Sequence, residues 1–155
     1  MNPLEDGITH INIYSKGETE VGRMLSNFYH SPFIHPVYGK FASIEGFWYW
    51  LKTGKKIETL KILYGANAKK VGRQYEDVHM DRFDDHIKIA LACKMAYNPD
   101  IVLKVCQSDL PFEHYYYYGE KDNPKVYNLP QYKWLCEWFE EFRDFVKKDL
   151  TWQNF

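Results

Sequence analysis

The sequence predicts an α+β domain, mainly helical, with a few short strands and hairpins. Three observations point there. Apolar residues recur at helical spacing in residues 43–54, 84–97 and 130–149. Residues 8–14 alternate at the two-residue period of a strand, with Ile11 and Ile13 on one face and His10, Asn12 and Tyr14 on the other. Two further stretches, 33–41 and 110–129, set β-prone aromatics on either side of a glycine. At 155 residues the chain has the size of one domain, residues 1–155, with enough apolar content to build its own core.

The totals exclude several classes. Apolar residues make up 45% and charged residues 26% of the chain, ordinary values for a folded protein. A net charge of −1 provides no overall field toward DNA or an anionic membrane. No run approaches the roughly 18 apolar residues of a membrane span. Residues 1–7 lack the basic and apolar parts of a signal peptide, so the expected location is the cytoplasm. The richness in Lys and Tyr suits a bacterium or its virus. Cys93, Cys106 and Cys136, odd in number and widely spaced, are expected as reduced, buried thiols.

In chain order, the strand at 8–14 is followed by a polar loop at 15–22 and a turn-rich aromatic segment at 25–33. Residues 33–41 form two short strands around Tyr38, Gly39 and Lys40. Ser43 then caps a helix that Gly54 ends, glycine being suited to a left-handed C′ position. A short helix is expected over 55–64 and another turn over 66–73. The acids of 76–85 form a loop and open a helix over about 84–97, with Phe83, Ile87, Ala90, Leu91 and Lys94 near one stripe. Asn98 and Pro99 start the next helix, to about Gln107. Residues 110–119 pair with 125–129 as a hairpin. The last helix, 130–149, docks on the core through Leu135, Trp138, Phe139, Phe142, Phe145 and Val146.

Few motifs carry chemistry. There is no Walker loop, dinucleotide glycine fingerprint, paired-cysteine motif or Gly-x-Ser-x-Gly turn. The six His are scattered, and neither a metal nor another cofactor is expected. What stands out is Glu45 and Lys52 on the aromatic helix of 43–54. Seven residues apart, they project from one side, about 10 Å apart along the axis. Charges on so apolar a helix are costly unless paired or functional, so a structural ion pair at the core rim and a reactive site both stay open. From Lys52 to Arg73, seven basic residues face one acid, Glu58, which reads either as a solvated surface or as a lobe facing phosphates. The four tyrosines 115–118 read as an edge strand or as stacking faces.

Within this arrangement, Leu25-Ser26-Asn27-Phe28-Tyr29, Ser31-Pro32-Phe33, Tyr38-Gly39, Phe41, Ser43-x-Glu45 and Lys52 together resemble the signature of the NADAR (YbiA-like) family. Ala68-Lys69-Lys70-x-Gly72-Arg73 is similar to a further element of that family. The matched order covers about residues 24–73. Beyond it the likeness thins. Where the family has Trp-Asp, Met and Lys-Phe elements, this chain offers Asp77, Met80 and Ile87-Lys88. Where the family has Asp followed by Trp-Gly, the nearest candidates are Asp109 and Tyr118-Gly119.

The resemblance implies a YbiA-like fold and N-glycosidase chemistry on ADP-ribosylated or phosphoribosyl substrates, such as ADP-ribose on guanine bases, acting on a small molecule or on ADP-ribosylated nucleic acid. Cleaving an N-glycosidic bond develops positive charge on the ribose, which a carboxylate stabilises or traps. Glu45 is the candidate for that role. Lys52 is the candidate amine, to orient phosphate, protonate the leaving base or attack the anomeric carbon. Asn27 would bond ribose hydroxyls or else stabilise its own turn, Phe28, Trp48 or one of the tyrosines 115–118, Tyr118 among them, would stack on a base, and Lys69 and Arg73 would face a pyrophosphate, with an ion pair to the acidic loop equally open for Arg73. Asp109 and Gly119 complete the implied set. The alternatives are a non-catalytic ADP-ribose or nucleotide binder and a protein-interaction module using exposed Tyr and Trp.

Overall fold

A computed structural model describes residues 1–120 and 122–153. In order along the chain, the elements are β1 (Ile11–Asn12), α1 (Glu20–Leu25), β2 (Phe33–His35), β3 (Gly39–Phe41), α2 (Ile44–Lys52), α3 (Gly65–Gly72), α4 (Phe83–Tyr97), α5 (Pro99–Cys106), β4 (Phe112–Glu113), β5 (Tyr115–Tyr118), β6 (Lys125–Asn128) and α6 (Lys133–Gln153). Single 3₁₀ turns occupy Pro3–Glu5, Glu58–Ile62 and Pro130–Tyr132. The α+β class holds: among the described residues the strands form three two-stranded ladders, β1 with β4 in parallel, β2 with β3 and β5 with β6 antiparallel. No helix of the described residues is long and apolar enough to cross a membrane. Contacts divide the chain into two compact units, one of residues 27–99 and one of residues 1–26 with 100 onward.

In the unit of residues 27–99, the core is an aromatic knot on one face of α2. Phe47 and Trp50 pack on Phe41 and Phe33, with Phe41 and Phe47 edge to face at 4.9 Å. Ile44, Phe47 and Leu51 are fully buried, as the helical period requires. The hairpin falls where the sequence predicts it, Phe33 opposite Phe41 and His35 opposite Gly39, whose φ of 85° suits glycine. The helix expected over 55–64 is a 3₁₀ turn at Glu58–Ile62, anchored by the fully buried Leu60. The stripe of α4 buries Ile87, Ala90, Leu91, Lys94 and Met95. Lys94 has no exposed surface, and burial lowers its pKa to about 7.

In the other unit, several expectations change. The strand of 8–14 shrinks to β1, and its polar face is buried as well. His10 Nε2 meets Tyr115 Oη at 2.7 Å, while the Asn12 side chain bonds the Tyr115 backbone at both N and O, 3.0 Å each. Pairing lets those polar groups go inside. The loop of 15–22 ends early, because Thr19 accepts from Gly22 N at 3.0 Å and caps α1. The docking stripe of α6 is rotated: Leu135, Cys136, Phe139 and Arg143 are buried, whereas Phe145 is 71% exposed. Arg143 replaces it, its Nη1 donating to the carbonyls of Ser108 and Leu110 and its guanidinium lying 4.5 Å from the Phe112 ring. The hairpin expected over 110–129 pairs only from Tyr115, Tyr115 opposite Asn128 through Tyr118 opposite Lys125, because Phe112 and Glu113 pair with β1 instead. All three cysteines are free thiols, but only Cys136 is buried, Cys93 and Cys106 being half-buried.

Candidate functional site

The site is built on α2, and both ends of that helix are fixed. Ser43 Oγ accepts from Gly46 N at 3.0 Å and donates to the Leu63 carbonyl at 2.9 Å. At the other end Gly54, at φ 87°, takes the C′ position, with Gly54 N bonded to Leu51 O and Lys55 N to Trp50 O. That paired pattern is the Schellman closure. The core face of the helix is thereby locked in the aromatic knot. Glu45, Trp48, Tyr49 and Lys52 fall away from it.

Two glycines let the following chain come close to α2. A Cβ on Gly46 would lie 2.3 Å from the Leu60 carbonyl oxygen, and one on Gly72 would lie 2.2 Å from Tyr49 Cγ. Only hydrogen at these positions lets the 3₁₀ turn and α3 pack there. The result is a basic helix, α3, laid along the side of α2 that carries Glu45.

Glu45 is 8% exposed. Burial raises its pKa to about 7, against the opposing pull of Lys69, Arg73 and Lys52 in that order. One turn on, burial raises the Tyr49 phenol as well; the Glu45 charge adds to this, and a hydrogen bond with Arg73 works against it. The Glu45 amide donates to the Asn27 carbonyl at 2.9 Å, which ties residues 27 and 28 to the first turn of α2. The side-chain oxygen of Asn27 is buried and meets no donor among the described groups. Such an orphan acceptor costs free energy unless a ligand or water satisfies it. Lys69 Nζ lies 5.9 Å from the centroid of the Phe28 ring.

Lys52 occupies a different setting. Its ammonium stands 3.7 Å from an Asp77 carboxylate oxygen and about equally far from two rings, 5.8 Å from Trp48 and 6.0 Å from Phe83. Trp48 and Phe83 themselves meet edge to face at 4.8 Å. Trp48, half-buried, thus meets both Lys52 and Phe83.

The fold thus gathers Asn27, Phe28, Glu45, Trp48, Lys52, Lys69 and Arg73 in the unit of residues 27–99. Asp109, Tyr118 and Gly119 belong to the other unit. There Asp109 is exposed and bonded to Lys147 Nζ, whose proximity holds its carboxyl below the usual range. Tyr118 packs edge to face on Tyr127 at 5.4 Å, and Gly119, at φ 84°, turns the hairpin. Three residues, Tyr49, Gly46 and Gly72, take part in the site in ways the sequence analysis does not assign. Tyr49 had a signal, since it follows Glu45 by one helical turn. The roles of Gly46 and Gly72 as contact points had none.

The arrangement has the elements of a polar, anion-accepting site: a carboxyl that changes charge near neutrality, two cations beside it, an unpartnered amide oxygen and an aromatic face. Among the described residues, no three of His, Cys, Asp and Glu converge to hold a metal ion. The chain matches no family model, no curated protein and no solved structure in comparison with each.

Proposed function

We propose that the protein is an N-glycosidase acting on an ADP-ribosylated or phosphoribosyl substrate, such as ADP-ribose on guanine. One observation carries this reading: a carboxyl buried to 8% exposure and pushed to a pKa of about 7, with Lys69, Arg73 and Lys52 as its cationic surroundings. A carboxyl so placed is available in both charge states near neutral pH. Ionised, it stabilises the positive charge that grows on the ribose as the glycosidic bond breaks; protonated, it supplies a proton to the leaving base. Lys69 and Arg73 suit the phosphates, and the buried, unpartnered side-chain oxygen of Asn27 is an acceptor for a ribose hydroxyl. The likeness of residues 24–73 to the NADAR signature supports the same chemistry. ADP-ribosylated guanine DNA, and separately phosphoribosyl amino-pyrimidines, incubated with wild type and Glu45→Gln, test it. Base release by wild type and its loss in the variant are expected. No turnover of either substrate, or full activity in Glu45→Gln, refutes it.

A second reading, a non-catalytic binder of the same nucleotides, is favoured by the pairing of Lys52 with Asp77, which directs the candidate amine to another carboxylate. Calorimetric binding of ADP-ribose with intact ligand recovered by mass spectrometry would select it.

A further inference from the structure

The segment joining α3 to α4 rests against the C-terminal end of α2. Val78 N donates to the Lys52 carbonyl at 2.8 Å, and the Val78 methyls rest 3.6 and 3.8 Å from the position of a Cβ on Gly54. Asp77 Oδ1 accepts from His79 N at 2.8 Å, which aims the carboxylate, and Oδ2 faces Lys52 Nζ at 3.7 Å. That distance exceeds hydrogen-bond range, and both side chains are about a third exposed, 33% for Lys52 and 37% for Asp77. An ion pair of this kind contributes little, so its carboxylate is readily exchanged for a stronger anion. The same segment carries two non-glycine residues in the left-handed region, His79 at φ 51° and Arg82 at φ 55°. This conformation is disfavoured for L-residues and persists where the surroundings impose it.

We propose that Asp77 is an internal placeholder: its carboxylate occupies Lys52 in the empty protein and is displaced by a phosphate or pyrophosphate oxygen of the ligand. This rests on the reading of the site as phosphate-accepting and deepens it. Asp77 is then a specificity-determining residue, since a ligand without an anionic group cannot displace it. A phosphate offers more charge and several acceptor oxygens to the ammonium, whereas Asp77 offers a single oxygen at long range. Removing the Asp77 charge lifts the competition and tightens anion binding; removing Lys52 abolishes both the binding gain and the competition.

Isothermal calorimetry with inorganic pyrophosphate on the full chain tests this in wild type, Asp77→Asn, Lys52→Met and the double variant. Asparagine keeps the acceptor for His79 N, and a thermal melt checks that each variant is folded. Asp77→Asn is expected to bind about fivefold tighter than wild type, and the double variant to bind no better than Lys52→Met alone. Affinity of Asp77→Asn equal to or below wild type overturns the proposal, as does a gain that survives in the Lys52→Met background or an absence of binding in every form. Turnover of ADP-ribosylated DNA is read separately. Turnover with no pyrophosphate response overturns the placeholder and leaves the glycosidase reading standing. The pyrophosphate pattern without turnover does the reverse.

Discussion

Gly72 presses directly on the Tyr49 ring: a single added methyl would sit 2.2 Å from Cγ and 2.3 Å from Cδ1 of that side chain. This contact sets how near α3, and with it Lys69 and Arg73, comes to Glu45. Gly72→Ala is expected to cost about 3 kcal/mol, at the upper end for overpacking, because the colliding atoms include Cβ and the near edge of a ring that is itself partly buried. Urea unfolding measures the loss. Calorimetry should show ADP-ribose affinity falling at least tenfold as the basic helix is pushed away. A stable variant with wild-type affinity would mean that α3 does not set the site.

Glu45 should make the protein less stable as pH rises. Its folded pKa, about 7, lies above the model-peptide value of 4.5. Between those values the folded state holds the proton more tightly than the unfolded state, so stability falls across that window and stays low above it. At about 1.4 kcal/mol per pH unit the full effect is about 3 kcal/mol. Glu45→Gln is expected to match wild type near pH 4.5 and to exceed it above pH 7, measured by chemical denaturation at a series of pH values. A pH-independent difference would contradict the raised pKa.

Lys94 carries the opposite sign. Its folded pKa, about 7, lies below the ordinary 10.5, so the unfolded chain binds the extra proton between the two values and stability climbs with pH across that range. Relative to wild type, Lys94→Met, similar in volume, should gain on the order of 4 kcal/mol at pH 7 over its value near pH 10.5. Thermal melts at pH 7, 8.5 and 10 should show that advantage shrinking steadily.

Tyr115→Phe removes the hydroxyl that meets His10 Nε2 at 2.7 Å inside the other unit. Leaving that imidazole nitrogen unsatisfied in a site only 1% exposed should cost about 1–2 kcal/mol. His10→Phe combined with Tyr115→Phe should recover part of the loss, since neither polar atom then remains. Denaturation curves of the single and double variants check both points.

Much of the fold could be read from the residues, because local rules decide it. Ser43 and Gly54 mark the ends of α2 through backbone chemistry that operates within four residues. The hairpin at Phe33–His35 and Gly39–Phe41 and the start of α5 at Pro99 are local in the same way. Distant partners decide the rest. The polar face of His10 and Asn12 is buried because Tyr115, more than a hundred residues away, satisfies both. Phe145 is exposed because Arg143 finds carbonyl acceptors at Ser108 and Leu110. At the candidate site, Glu45 and Lys52 stood out by type and spacing, yet Lys52 turns to Asp77, whose approach depends on a loop that no periodicity describes.

The pairing of β1 with β4 has a consequence for the order of folding. These strands join Ile11 to Phe112 across the whole segment that forms the other unit. Closing so long a loop is entropically unfavourable while that segment is loose. Within it, Asn98 Nδ2 donates to the Pro32 carbonyl at 3.1 Å, linking residues near its two ends. Once residues 27–99 have collapsed, the loop is effectively short, and the parallel ladder can close late and cheaply. Pulse-labelled hydrogen exchange during refolding should therefore register α2 amides before those of Ile11 and Ile13.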